Sequence, residues 1–328
     1  MGGGRRAAAG SVRVVFLGTP ETAVPALTAI LEAGHEVPLV VTQPDRPAGR
    51  SKEPQPTPVK ILAASRGLSV IQPEKVRAPE FAQRIAASVP DALAVVAYGR
   101  LLPRSVLDAA PHGAVNLHFS LLPELRGAAP VQWALARSAR ETGVTTFRLD
   151  DGLDTGDILK SRRVAIEPDE HAPALLARLA GEGAALLIET LSGLAAGAIH
   201  PVPQDHGRAT LAPILTRKDG HWSPAWRARE LEGRVRGFDP WPGVWALVRG
   251  KRIRVAAACA LDESNPEAPP GALLAIAGDQ LRLACAGATL AAIDSVQLEG
   301  GRAMSAREAV NGRLLQPGDR LERPEPAA

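Results

Sequence analysis

Short, almost wholly apolar runs alternate with helix-patterned segments through the first part of this chain, and that alternation constrains its fold more than any other feature. Residues 12–17, 37–41 and 92–97 are runs of this kind, dominated by Val, Leu and Ala. Apolar runs of this length without a polar alternate belong to strands covered on both faces. Between them, residues 23–33 carry a helical pattern stopped by Gly34, and 58–65 and 80–88 are also helical in pattern. Further strands are expected at 68–71, 114–118, 143–149 and 158–166, followed by a helix from Ala172 to about Leu194. Strand–helix alternation with short connections predicts an α/β domain with a mostly parallel sheet.

The pattern breaks twice. Residues 42–58, TQPDRPAGRSKEPQPTP, are too rich in proline and polar side chains for helix or strand and read as one long loop. Residues 197–207 show no periodicity and read as a connection. Beyond it, residues 224–235 look helical, with Ser223 placed as cap and Pro224 at the first position. Short alternating runs at 244–248, 252–257, 272–277, 280–284 and 288–296, divided by Gly, Asn and Pro, suggest a small β-barrel. The expected organisation is a flexible tail at 1–10, a first domain at 11–197, a linker at 198–209 and a second domain at 210–328.

Composition narrows the function classes. With 328 residues, 45% of them hydrophobic, the chain can build two cores. The two cysteines, Cys259 and Cys285, are far apart and lack metal-like spacing, which fits a reducing compartment. The basic N-terminus is followed by an apolar run too short for a secretory signal, and no stretch is long enough to span a membrane. A cytoplasmic protein is expected. The opening LGTPETA is not a dinucleotide fingerprint; phosphate-loop, nucleophile-elbow and H-E-x-x-H motifs are missing, and the seven histidines show no metal spacing. No metal is expected.

Two segments concentrate polar groups that can do chemistry. In NLHFSLLPELRGAAP, Asn116 and His118 stand two apart on an apolar strand, so both face the same side near its C-terminal end. Open α/β sheets place ligands at that end. A core histidine satisfied by a core asparagine fits the same pattern. In RLDDGLDTGDIL, four aspartates crowd a glycine-rich turn without the spacing of a calcium loop. A solvated acidic turn fits equally well. Taken together, an amide, an imidazole and a carboxylate suit acyl transfer without a covalent intermediate: donors hold a developing oxyanion, and the carboxylate orients the imidazole.

Asn116-Leu117-His118 with Ser120-Leu121-Leu122-Pro123, Arg126-Gly127 and Leu153-Asp154-Thr155-Gly156 closely resemble the folate-dependent formyltransferases. The resemblance implies a Rossmann-like formyltransferase domain followed by an OB-like barrel, and a catalytic trio of Asn116, His118 and Asp154. It also implies a folate site along Ser120, Leu121, Leu122 and Pro123, with residues 95–103 walling the pterin ring. One departure is Phe119, a bulky residue where the family pattern has Gly after the histidine.

The opening FLGTPETAVPAL, the loop TQPDRPAGR and the later LTRKDGHWSPAW and VRGFDPWPGVW resemble the branch of the family that formylates tRNA. This implies 10-formyltetrahydrofolate as donor, methionyl-initiator tRNA as acceptor, and Arg46, Arg50 and Lys52 as cations for the acceptor end, in a monomeric enzyme. Residues 206–255 hold eleven Lys and Arg against four Asp and Glu, a net +7 that can steer a polyanion or simply be a solvated face. Trp222, Trp226, Trp241 and Trp245 suit core anchoring better than base stacking. Alternatives are a formyltransferase or hydrolase for a small molecule such as an amino sugar nucleotide, and an RNA-binding module with an inactive domain.

Overall fold

The computed structural model describes residues 11–47 and 53–324, so the expected tail at 1–10 lies outside it. In chain order the elements are β1 (Arg13–Gly18), α1 (Val24–Glu32), β2 (Glu36–Val41), β3 (Arg46–Pro47), β4 (Pro54–Gln55), α2 (Pro58–Ser65), β5 (Val70–Ile71), α3 (Pro79–Ala86), β6 (Ala92–Val96), α4 (Arg104–Leu107), β7 (Ala114–His118), α5 (Pro130–Ala136), β8 (Glu141–Arg148), β9 (Ile158–Ala165) and α6 (Ala172–Ala195). Then follow α7 (Ala228–Gly237), β10 (Val244–Val248), β11 (Lys251–Ser264), β12 (Leu273–Ala277), β13 (Gln280–Ala284), β14 (Thr289–Leu298), β15 (Ala303–Ser305) and α8 (Ala306–Asn311).

The chain forms two compact units. One takes the chain through Gly127, Thr142–Ala165 and Leu176–Leu211; the other takes Ala128–Glu141, Ile166–Leu175 and the chain from Ala212. The first is built on a seven-stranded sheet in the order β5-β2-β1-β6-β7-β8-β9. β5, β2, β1, β6 and β7 run parallel, and β8 runs antiparallel to β7. Val14, Val15, Phe16 and Leu17 are wholly buried, as an apolar strand covered on both faces requires. The strand order reverses between β1 and β6, the point at which open α/β sheets form their crevice. There the loops after β1, β2 and β6 are tied together: the Tyr98 carbonyl accepts from Gln43 Nε2 at 2.8 Å and from Thr19 Oγ1 at 3.5 Å.

Strand and helix positions follow the apolar pattern closely, with instructive exceptions. The expected strand at 68–71 shrinks to Val70–Ile71. Residues 42–58 are not a bare loop, because Arg46 and Pro47 pair antiparallel with Gln55 and Pro54. Lys60 and Gln72 both donate to Asp45, at 2.5 and 2.6 Å, which anchors the base of this loop. The Lys60 hydrogen bond, then that of Gln72, holds the Asp45 carboxyl below the usual carboxylate range. Residues 198–209, read as a linker for want of periodicity, are part of the first unit.

The second unit carries the sheet β10-β11-β14-β13-β12, with β15 on β14. Its two edges are joined by the C-terminal segment: Glu322 bridges Leu247 of β10, and Arg320 bridges Ala272 just before β12. That segment closes the expected barrel and removes its free edges. Trp222, fully buried, donates through Nε1 to the Leu321 carbonyl at 3.2 Å and meets Trp226 edge-on at 5.9 Å. The helix expected from Pro224 starts instead at Ala228. Trp226 turns back on Ser223 by a backbone bond of 3.1 Å, so Ser223 does not cap the helix; Glu230 accepts from the Arg227 N–H at 2.9 Å. Helix α5, which no apolar pattern in the sequence predicts, packs in this unit with Trp133 edge-on to Phe238 at 5.6 Å.

His35 yields a measurable consequence of burial. Its Nδ1 accepts the Val12 N–H at 3.1 Å, its Nε2 is buried without a protein partner, and burial lowers its pKa. The folded state therefore favours the neutral ring. Its stability contribution is complete above the ordinary histidine value of 6.5 and is lost as pH falls through the lowered folded value. Urea denaturation of the wild type should show stability declining below that range, and His35→Asn should show a shallower decline; identical slopes would contradict the assignment.

Candidate active site

The site is assembled at the C-terminal end of β7. Asn116 pairs with Val95 of β6 and Phe147 of β8, and His118 pairs with Thr145, so the two side chains share one face of the sheet. Asn116 is half-buried, and His118 is 6% exposed. The imidazole stands edge-on to Phe147, with centroids 6.3 Å apart. Its Nε2 lies 3.0 Å from the Leu125 carbonyl oxygen, and its Nδ1 lies 3.7 Å from Asp154 Oδ2. The structure thus brings Asp154 to the ring, in ion-pair range and beyond hydrogen-bond length.

Asp154 reaches this position through an unusual backbone. Its φ is 54°, in the left-handed region that few non-glycine residues occupy, and such residues gather at functional sites. Its Oδ2 accepts the Gly127 N–H at 2.7 Å. The turn before it is braced by Asp150, whose carboxylate accepts the Gly152 N–H at 3.0 Å and the Thr155 hydroxyl at 2.7 Å. Of the four aspartates in this stretch, Asp150 therefore shapes the turn and Asp154 faces the histidine.

The Ser120–Pro123 stretch is a tight turn closed on itself. The Thr145 hydroxyl donates to the Ser120 carbonyl at 2.7 Å and accepts the Leu122 N–H at 3.2 Å, and the Leu122–Pro123 bond is cis. Ser120 is fully buried, and its own hydroxyl donates to the Glu124 carbonyl at 2.6 Å. Phe119 is buried as well, at 8% exposure. Tyr98, in the segment expected as the pterin wall, turns its ring into the core among Phe81, Ile85 and Leu93. Its buried phenol has no protein partner, and burial raises its pKa.

Three residues outside the expected trio hold these turns in place. The buried Arg126 guanidinium donates twice to Gln204 Oε1, at 3.2 and 2.6 Å, and Gln204 Nε2 donates to the Asp154 and Gly156 carbonyls at 2.9 and 2.7 Å. Thr210 accepts the Leu125 N–H through its hydroxyl at 2.9 Å and the Arg126 N–H through its carbonyl at 2.8 Å. Arg126 stands within a recognised motif, whereas Gln204 lies in an aperiodic stretch with no local signal, and Thr210, expected to open the second domain, belongs to the first unit.

The expected tRNA-facing cations divide between described and undescribed residues. Arg46 is exposed in β3, while Arg50 and Lys52 lie outside the described residues. In the basic stretch of the second unit, Arg249, Arg252 and Arg254 meet Asp319, Glu299 and Asp239, and Arg234 meets Glu230. Arg234 and Arg252 also cover the rings of Trp226 and Trp245, each 4.5 Å from the centroid. Trp222 is a core anchor; Trp241, in contrast, is 52% exposed. Among the described residues, no cluster of three or more His, Cys, Asp or Glu is disposed to hold a metal, and no helix is long and apolar enough to cross a membrane.

The formyl transferase domain family matches residues 12–191, and the formyl transferase C-terminal domain family matches 215–314. A methionyl-tRNA formyltransferase from Acidobacterium capsulatum is 47% identical over 94% of this chain and 99% of its own. The chain belongs to the methionyl-tRNA formyltransferase family. A second member, from Anaeromyxobacter dehalogenans, is 48% identical over 92% of this chain and 97% of its own. In fold, the family scaffold is shared with an N-formyltransferase from Helicobacter canadensis solved with folinic acid and dTDP-3-aminofucose. That likeness has a TM-score of 0.62 at 15% identity, over 86% of this chain and 98% of the other.

The L-D-T-G turn of this family member also explains its final glycine. A Cβ on Gly156 would lie 1.8 Å from the Arg148 carbonyl oxygen, a backbone atom that cannot swing aside. Gly156→Ala should destabilise the protein by about 1–3 kcal/mol or more and displace the Asp154 turn. Thermal melting together with a formyl-transfer assay checks this, and an unchanged melting temperature would contradict it.

Proposed function

We propose that this enzyme moves the formyl group of 10-formyltetrahydrofolate to the α-amino group of methionyl-initiator tRNA, giving N-formylmethionyl-tRNA. The observation that carries the reading is the meeting of His118 and Asp154 across 3.7 Å, on the same strand face as Asn116. The relatives that match end to end support tRNA as acceptor over an amino sugar nucleotide.

The methionine amine, neutral, attacks the formyl carbon; a free α-amino group titrates at about 7.7–8.0, so deprotonation costs little near neutral pH. A new C–N bond forms and the carbonyl electrons move to oxygen. The Asn116 carboxamide and the His118 imidazolium stabilise that oxyanion as donors. Collapse breaks the bond from the formyl carbon to the folate nitrogen; protonated His118 gives its proton to that nitrogen and then takes up the proton released by the amine. Asp154 orients the ring and balances its charge.

Ser120, Leu121, Leu122 and Pro123 form the folate wall, with the Thr145 clasp keeping it rigid. Arg46, Arg50 and Lys52 offer cations to phosphates of the acceptor end from a proline-stiffened loop. The protein acts in the cytoplasm as a monomer and needs no metal.

His118→Ala should lower kcat by about a hundredfold to a thousandfold while circular dichroism and Tm remain those of the wild type. Wild-type turnover by the purified variant would remove the trio from the mechanism. The double variant Arg46→Ala/Arg50→Ala should raise KM for tRNA and weaken its salt dependence, with KM for the folate unchanged. Equal kcat/KM for tRNA in variant and wild type would exclude the loop.

A further inference from the structure

We propose that residues 202–211 position both partners of the catalytic imidazole, with Gln204 and Thr210 as the positioning residues. The inference rests on the reading of His118 and Asp154 given above and assigns work to a stretch that lies beyond the formyl transferase domain match.

The two oxygens facing His118 come from different turns, and each turn is gripped by this one segment. Nε2 faces the Leu125 carbonyl, and the Leu125 N–H is held by the Thr210 hydroxyl at 2.9 Å. Nδ1 faces the Asp154 carboxylate, and the Asp154 carbonyl is held by Gln204 Nε2 at 2.9 Å. The segment is itself fixed at its start, where Val202 exchanges two 2.8 Å backbone bonds with Ile158, and at its end, where Leu211 bridges Arg126.

Gln204 suits this task because of what surrounds it. It is 6% exposed, and Arg126, also 6% exposed, directs two N–H groups at its Oε1. A guanidinium has only donors, so the carboxamide oxygen must face Arg126 and the amide N–H groups must face the two turn carbonyls. The buried charge thereby fixes the orientation of a neutral side chain, and that side chain holds Asp154 in its left-handed conformation. Glutamate at this position would keep the acceptor for Arg126 but set lone pairs against both carbonyls.

The experiment compares Gln204→Glu, Gln204→Ala, Thr210→Val and Thr210→Ser with Asp154→Asn and the double variant Gln204→Ala/Asp154→Asn in the full-length enzyme. Charged initiator tRNA and 10-formyltetrahydrofolate serve as substrates. Loss of positioning lowers kcat about tenfold to a hundredfold in Gln204→Glu, Gln204→Ala and Thr210→Val, with both KM values within twofold. Thr210→Ser, which keeps the hydroxyl, restores wild-type kcat. Gln204→Ala adds less than twofold to the loss already caused by Asp154→Asn, because the two act on one arrangement. Should the Gln204 variants fold poorly, the exposed Thr210 pair carries the test alone. Wild-type kcat in folded Gln204→Ala and Thr210→Val beside an impaired Asp154→Asn would overturn the inference and leave the assigned reaction standing. Full activity in Asp154→Asn would overturn the trio and the inference with it.

Discussion

The imidazole of His118 sits between two oxygens that belong to separate turns, and much of the first unit serves to keep those turns in register. One oxygen is the Leu125 carbonyl, the other the Asp154 carboxylate. Leu125 and Asp154 both have positive φ, at 59° and 54°, a conformation that persists in a non-glycine residue only when its surroundings over-determine it. For Asp154 the surroundings do so through short bonds: Gly127 N–H on its carboxylate, buried Gln204 on its carbonyl, Asp150 on the turn behind it.

The apolar sheet makes this economy of small contacts possible. β1, β6 and β7 are buried along most of their lengths, as strands covered on both faces are, and their parallel pairing sets where β7 ends. With β7 fixed, Asn116 and His118 emerge together at its C-terminal end. β8 then contributes Thr145, whose hydroxyl clasps the Ser120–Leu122 turn, and Phe147, whose ring stands against the imidazole.

In the second unit, charge counted along the sequence and charge presented in space diverge. The stretch 206–255 is strongly basic by count. Several of its arginines nevertheless meet carboxylates from distant parts of the chain, among them Asp319 and Glu299, and two sit over tryptophan rings. Exposed pairs of this kind add little to stability. They do reduce what is left to attract a polyanion, so Lys and Arg counts overstate the field of this surface. The tryptophans divide in the same way: Trp222 closes the core against Leu321, whereas Trp241 stands largely in solvent.

The alternation of apolar runs with helical segments settled the α/β layout, because periodicity is a local property and local spacing decides which face a side chain takes. For the same reason Asn116 and His118 were legible as a pair on one strand face, and the residue types of the L-D-T-G turn marked a carboxylate worth watching. Helix α5 was not legible, since it packs with Phe238 from elsewhere in the chain, and the late start of α7 was hidden by a turn in which Trp226 bonds back to Ser223. The barrel's closure by Arg320 and Glu322 was hidden for a similar reason. The family resemblance singled out Asp154 among its neighbours; tertiary structure alone decided that Gln204, in an aperiodic stretch read as a linker, and Thr210 just beyond it hold the two turns together. Such contacts join residues far apart in sequence through single hydrogen bonds, which leave no repeat, composition or spacing for a sequence reading to find.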